Sequence, residues 1–450
     1  MVTLEQVHQR PALRLTPSQA LVLGFAMVIL AGGILLSLPV SVQQGKHVSF
    51  LNALFTATSA VCVTGLVVVD TYTTYSTFGQ IVILLLIQTG GLGFMSMATL
   101  IAVLMGRKIL LRERLLLQEA MNKVSVDGVV RLALYVLKVT AVFELTGALI
   151  LMLTWHGQLG WGKAAYYGLF HAVSAFNNAG FDLFGNYSSL TSQVSSIPVN
   201  LVVGSLIVFG GLGFAVLLEL QQIHTWKRLS LHTKMVVIAT ASLLLLGFLG
   251  FALLEWENPG TIGGLSTGGK LLASMFQSIT PRTAGFNTVD FSKLGEATAF
   301  LLTILMFIGA SPGSTGGGIK TTTVASNLVG MYSLINGRSD FNVGGRRLAK
   351  DQVFRGAAIA LFAMALVTVV AIALAVTEHL PILTTLFEAT SAFGTVGLSL
   401  GITPALSPLG KSLIMLTMFA GRLGPLTLAI ALSRAKTSNV RYPEEKILIG

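Results

Sequence analysis

Four short segments of the chain each end in a glycine flanked by small or polar residues: 54–66 (LFTATSAVCVTGL), 169–181 (LFHAVSAFNNAGF), 275–286 (MFQSITPRTAGF) and 386–398 (LFEATSAFGTVGL). The chemistry such stretches offer is carbonyl coordination. An ion leaving water needs its hydration shell replaced, and rings of backbone carbonyls do this without fixed charge. Turning successive carbonyls inward requires backbone angles that glycine tolerates and other residues resist. The candidate ligand-bearing residues are therefore Val63, Thr64 and Gly65; Asn178, Ala179 and Gly180; Thr283, Ala284 and Gly285; and Thr395, Val396 and Gly397. The apolar helix candidate ahead of each glycine would aim its partially negative C-terminal end at the same place. Four such ends favour a cation.

The elements that must position these residues follow from spacing and composition. The glycines lie 115, 105 and 112 residues apart, so one structural unit is used four times, and four membrane units around an axis enclose a pore. Of 450 residues, 53% are hydrophobic and only 10% charged, with mean hydropathy +0.78. That is a polytopic membrane composition. The expected fold is all-α: four tandem span–re-entrant pore helix–span repeats at 1–125, 126–226, 227–350 and 351–450, giving eight transmembrane helices around a pseudo-fourfold pore. Long apolar runs lie near 18–41, 79–104, 129–155, 198–221, 233–255, 297–334, 354–377 and 409–433. The four short segments, about ten residues each, cannot cross the bilayer. Non-helical backbone at membrane depth survives only against protein or a watery path.

Charge and cysteine narrow the classes further. Arg10 and Arg14 precede the apolar run 20–40, which reads as a first span rather than a cleaved leader. The single Cys62 leaves no internal disulfide or thiolate metal site. The net charge of +11 sits in short loops, which is topology information and not a nucleic-acid footprint. Twenty of the 29 Lys and Arg residues fall on one side of the expected spans. The positive-inside rule then places both termini in the cytoplasm, with the short segments entering the cell membrane from outside.

One run does not fit a continuous span. Residues 309–320 read GASPGSTGGGIK: Gly309, Ala310, Ser311, Pro312, Gly313, Ser314, Thr315, Gly316, Gly317, Gly318, Ile319 and Lys320. Pro312 removes a backbone donor and the triple glycine permits almost any turn, so a loop should interrupt the helix and face the pore below the glycines. This is a candidate gate. Arg422 is an intramembrane charge that needs a partner, and hydrogen bonds to loop carbonyls or hydroxyls such as those of Ser311, Ser314 or Thr315 would hold the loop closed. Lys320 belongs to the gate or snorkels toward the cytoplasm. The clusters at Gly90, Gly91 and Gly93, at Gly210, Gly211 and Gly213, and at Gly421 and Gly424 before Pro425 read as milder kinks. Arg282 and Glu388 could pair behind the glycines, and His171 reads as a core histidine. Lys138 and Glu144 share no clean helical face. There is no metal-site spacing, no nucleotide loop and no nucleophile–base set, so an enzyme is not expected.

At these motifs the chain resembles the membrane subunit of Ktr-type potassium transporters, in the Trk/Ktr/HKT superfamily, over essentially its whole length. The resemblance implies potassium held at Gly65, Gly180, Gly285 and Gly397, with glycine in the first position going with potassium selectivity and serine there with sodium permeation in some plant members. It implies a gating loop at 309–320 and supports the role of Arg422. It also implies a homodimer resting on a cytosolic ring of nucleotide-binding regulatory subunits (KtrA-like) that carries ATP or ADP, with no cofactor in this chain. The basic stretches 106–123 and 434–450 would be the docking surfaces. The third segment is one residue shorter and carries Arg282, so imperfect fourfold symmetry is expected there. The rival reading is a sodium- or proton-coupled symporter, which commonly pairs broken helices with an intramembrane acid. Near the glycines, Glu388 is the one acid in view.

Overall fold

The computed structural model describes residues 16–93, 129–338, 340–424 and 445. The basic stretch 106–123, most of the tail 434–450, Pro425 and the inner part of the run 79–104 lie outside the described residues.

Helix α1 (Pro17–Ser37) opens on a capping box: the Thr16 hydroxyl accepts from the Gln19 amide, and the Gln19 side chain accepts from the Thr16 amide. A short helix α2 (Phe50–Val61) and then α3 (Thr77–Leu92) follow. The pattern of long helix, short helix and second helix recurs as α4 (Val129–Leu159), α5 (Trp161–Phe176) and α6 (Ile197–Leu212), with α7 (Phe214–Gln222) after the last. It recurs again as α8 (Leu231–Glu255), α9 (Thr267–Ile279), α10 (Glu296–Phe307) and α11 (Thr321–Ile335). A small antiparallel hairpin, β1 (Phe341–Val343) with β2 (Arg346–Leu348), is a departure from the all-helical expectation. The chain then runs through α12 (Lys350–Glu378), α13 (Ile382–Gly394) and α14 (Pro408–Leu423).

The protein is a polytopic helical membrane protein, but its spans are not alike. Among the described residues, α1, α4, α8 and α12 alone are long and apolar enough to cross unbroken. The remaining apolar runs, among the described residues, are broken or bent, as the loop reading at 309–320 anticipated for one of them. Helices α3 and α14 end at Gly93 (φ 79°) and Gly424 (φ 84°), and the loop 308–320 separates α10 from α11. Between α6 and α7, at Gly213 (φ 93°), the axis turns by 97°, far beyond a mild kink. The freed Phe214 amide donates to Gly313 O at 2.9 Å, so the elbow is satisfied by the gate-candidate loop.

Packing explains the remaining glycines. In lipid, helices gain little from hydrophobicity and associate through small residues. Gly90, Gly210 and Gly421 each face the last carbonyls of a short helix, those of Val61, Phe176 and Phe393, with no room for a Cβ. Large side chains such as Leu253, Val376 and Leu416 project outward. Two acids lock long helices to the next second helix: Glu255 accepts from Gly295 N (3.0 Å) at the start of α10, and Glu378 accepts from Ser407 N (2.9 Å) and Oγ (2.6 Å) at the start of α14.

Candidate ion pathway

Helices α2, α5, α9 and α13 end next to one another, and each is followed by one of the glycine strands. The turn out of the helix is the same in three of them. The residue before the glycine donates its amide to the carbonyl six before the glycine: Thr64 to Ser59, Ala179 to Ser174 and Val396 to Ser391, each 2.8 Å. In the first and fourth strands that serine's hydroxyl also accepts from the glycine amide, at 3.0 Å (Gly65) and 3.1 Å (Gly397). The third segment has Ile279 at that place. There Ala284 donates to Thr280 O at 3.0 Å, one residue tighter, and the Thr280 hydroxyl binds the Phe286 carbonyl. The missing residue is absorbed in the turn, not in the strand.

Within each strand the sign of φ alternates. Gly65, Gly180, Gly285 and Gly397 have φ of 89°, 70°, 78° and 91°, and two residues earlier Val63, Asn178, Thr283 and Thr395 have 52°, 57°, 69° and 51°. Alternation turns successive carbonyls to one side. Three of those four earlier residues are β-branched, where a left-handed backbone costs about 1–3 kcal/mol and is held only by its surroundings. A Cβ added to Gly65 would lie 2.5 Å from Ala179 O, to Gly180 2.8 Å from Ala284 O, and to Gly285 2.6 Å from Val396 O; at Gly397 it would meet Thr64 O. Each glycine faces the carbonyl that precedes the next, and the fourth faces that of the first. The strands form a closed ring. No described residue donates a hydrogen bond to the carbonyls of these twelve residues, which remain free to coordinate.

Outside the ring, a cavity of about 310 Å³ is lined by all four glycines together with Asp70, Asp182 and Asp290. These three acids were missed in the sequence, where they stand five, two and five residues after their glycines and Ile402 occupies the fourth place. Asp70 accepts from the amides of Thr73 (2.7 Å) and Tyr187 (2.9 Å), and Asp182 from that of Phe184 (2.9 Å). The Ser292 hydroxyl, 2.7 Å from Asp290, holds that carboxyl below its ordinary value, so it is ionised at neutral pH.

Below the ring lies the loop 308–320, stitched to every side. Thr315 donates its amide (3.2 Å) and hydroxyl (3.1 Å) to Gly210 O, and the hydroxyl also reaches Phe176 O (3.2 Å). Ser311 N donates to Gly211 O (3.0 Å), Gly317 N to Thr395 Oγ1 (2.9 Å) and Gly318 N to Gly421 O (3.3 Å). The Arg422 guanidinium donates to the carbonyls of Thr315, Gly90 and Gly91, tying the loop to α3. Lys320 does not snorkel. Its Nζ turns back to Gly316 O at 2.7 Å.

Residues 17–441 match the TrkH model, a cation transport protein family. The chain belongs to this family. It is 43% identical to the Ktr system potassium uptake protein B of Bacillus subtilis, with all of both chains covered. It is 39% identical to the potassium/sodium uptake protein NtpJ of Enterococcus hirae, covering 99% of each. The crystal structure of the potassium transporter TrkH from Vibrio parahaemolyticus superposes with a TM-score of 0.72 at 19% identity, over 95% of this chain and 86% of that one, and shares the fold. As a TrkH-family protein the chain is a transporter and not an enzyme.

The remaining polar groups of this TrkH-family chain are placed around the ring. Arg282 and Glu388 do not pair: Arg282 donates to Thr240 O at 3.3 Å, while Glu388 accepts from Ser399 Oγ at 2.8 Å and from the Thr403 hydroxyl. His171 bridges Tyr167 O (2.7 Å) and Leu183 N (3.3 Å), a core hydrogen-bonding role. Among the described residues, no cluster of His, Cys, Asp or Glu could hold a metal ion.

Proposed function

We propose that the chain is the ion-conducting membrane subunit of a potassium uptake system. Potassium enters the acid-lined outer cavity, sheds water at the ring of Gly65, Gly180, Gly285 and Gly397, and reaches the cytosol when the loop 309–320 yields. Arg422 and Lys320 hold that loop in the blocking position. Both termini are cytoplasmic, the four repeats run 1–125, 126–226, 227–350 and 351–450, and two copies associate as a homodimer. A cytosolic nucleotide-binding ring, docking on 106–123 and 434–450 and occupied by ATP or ADP, sets the loop. The observation that carries the reading is the closed ring of strands with unbonded carbonyls, and the potassium uptake for which several relatives are named supports the choice of ion.

The test is flux of potassium and of sodium, separately, into liposomes holding the purified wild type or Gly65→Ser. Gly65 has no room for a side chain and a left-handed backbone, so a serine must displace the ring. Potassium-selective flux in the wild type, relaxed toward sodium in Gly65→Ser, is the expected result. Equal passage of both ions through both proteins would overturn the filter. A strict requirement for a second ion would move the assignment to a coupled symporter.

A further inference from the structure

A buried polar cluster stands directly behind the second glycine strand. Glu144, on the long helix α4, is almost fully buried and faces Asn177, the residue that immediately precedes the strand. Asn177 Nδ2 donates to Glu144 Oε1 at 2.8 Å and to Gln88 Oε1 of α3 at 3.0 Å, and also approaches Val173 O at 2.9 Å. Gln88 Nε2 closes the triangle on Glu144 Oε2 at 3.3 Å. Among the described residues no basic side chain makes an ion pair with Glu144. An acid at this depth with amide partners alone is expensive to keep. The cost is met only if the geometry it fixes matters.

What it fixes is on either side of it. Asn178, the left-handed non-glycine residue that starts the second strand, follows Asn177 directly, so the Asn177 side chain sets where that strand begins. On the other side, the Asn177 side chain fills the space that a Cβ on Gly91 would need, and the carbonyls of Gly90 and Gly91 are those that receive Arg422. Of the residues three before the ring glycines, Cys62, Asn177, Arg282 and Gly394, two carry polar side chains tied to the long helix that precedes their strand: Asn177 to Glu144 and Arg282 to Thr240 O. The second strand alone has a carboxylate for this tether.

We infer that Glu144, acting through Asn177 and Gln88, is a positioning residue for ion selection that pins the start of the second glycine strand. This rests on the ring being the filter. Potassium and sodium differ in size, and discrimination depends on where the carbonyls stand, so a strand released at its root selects less well.

The experiment compares Glu144→Gln and Glu144→Leu as full chains in liposomes, reading the ratio of potassium to sodium flux beside Gly65→Ser. Glutamine keeps an acceptor for Asn177 and the same volume, and leucine keeps the volume alone. The expected result is a ratio near wild type for Glu144→Gln and a fall of about tenfold for Glu144→Leu, the effect of one unmade buried hydrogen bond. Gln88→Leu, which removes the other arm of the triangle, should lower the ratio in the same direction and serves if Glu144→Leu does not reconstitute. A wild-type ratio in both leucine variants, with Gly65→Ser relaxed, would overturn the inference and leave the filter standing. An equal loss in Glu144→Gln would also overturn it, because the charge and not the tether would then be at work. An unchanged ratio in Gly65→Ser would instead remove the filter on which the inference rests.

Discussion

Val63, Thr283 and Thr395 occupy backbone angles that β-branched residues avoid, and they do so two places before glycines whose angles are equally unusual. Glycine alone is legible in a sequence as a carrier of such angles. Its left-handed predecessors are not, because nothing in a Val or Thr announces strain that only the assembled ring can impose. The opposite holds for Arg422, whose need of a partner follows from its charge at membrane depth and whose bond to the Thr315 carbonyl of the loop matches that reading, while its reach to the Gly90 and Gly91 carbonyls of α3 was not foreseen. One guanidinium spans both elements because its fork presents donors in two directions, which an ammonium cannot do. Arg422→Ala should therefore raise basal potassium flux of the purified chain in liposomes, and Arg422→Lys should restore closure only in part. If Arg422→Ala left basal and regulated flux both at wild-type values, the latch would be refuted.

At the scale of elements, hydropathy read through helix ends that it cannot detect. The apolar run 198–221 continues across Gly213 without a change in composition, while the helix turns by 97° there. The loop 308–320 was legible because Pro312 and the Gly316–Gly318 run forbid a helix outright. The elbow was not, since a lone Gly-Leu-Gly motif is compatible with helix, kink or break. The two features belong together: Phe214 N reaches Gly313 O, and a Cβ on Gly213 would come 2.6 Å from Pro312 O. Gly213→Ala meets a left-handed backbone and that carbonyl at once, at a cost of about 1–2 kcal/mol from the backbone alone. The loop should be displaced, so this variant is expected to raise basal flux while changing the potassium-to-sodium ratio less than Gly65→Ser does, because Gly213 itself does not line the ring although the loop meets it at Thr395. A change in the ratio with no change in basal flux would show that the elbow supports the filter instead of the loop.

For the molecule as a whole, the basic residues that the sequence reading assigns to the cytoplasmic loops contrast with the acids gathered over the ring. The cavity over the ring gathers Asp70, Asp182 and Asp290 from three of the four glycine segments. That gathering was hidden in the sequence because the acids stand at unequal offsets and only the fold brings them to one mouth. A mouth lined by acids, with Lys293 standing 3.4 Å from Asp290 and offsetting part of its charge, raises the local concentration of cations and speeds their entry, an effect that salt screens over about 10 Å at 0.1 M. Asp290 lies in the connection between α9 and α10 with its carboxyl held below the ordinary value by Ser292. Because the folded pKa is lowered, both its charge and the stability it lends are fully present above the ordinary aspartate value and are lost as pH falls through the lowered one. Neutralising it by substitution, at neutral pH, thus removes a charge that mild acidification would not. Asp290→Asn, and more strongly Asp70→Asn with Asp290→Asn, should raise the half-saturating potassium concentration about two- to fivefold at low ionic strength, with little change in maximal rate and none in the potassium-to-sodium ratio. Added impermeant salt should shrink the difference. A shift that persists unchanged at high salt would mean that these acids bind the ion directly instead of drawing it in through their field.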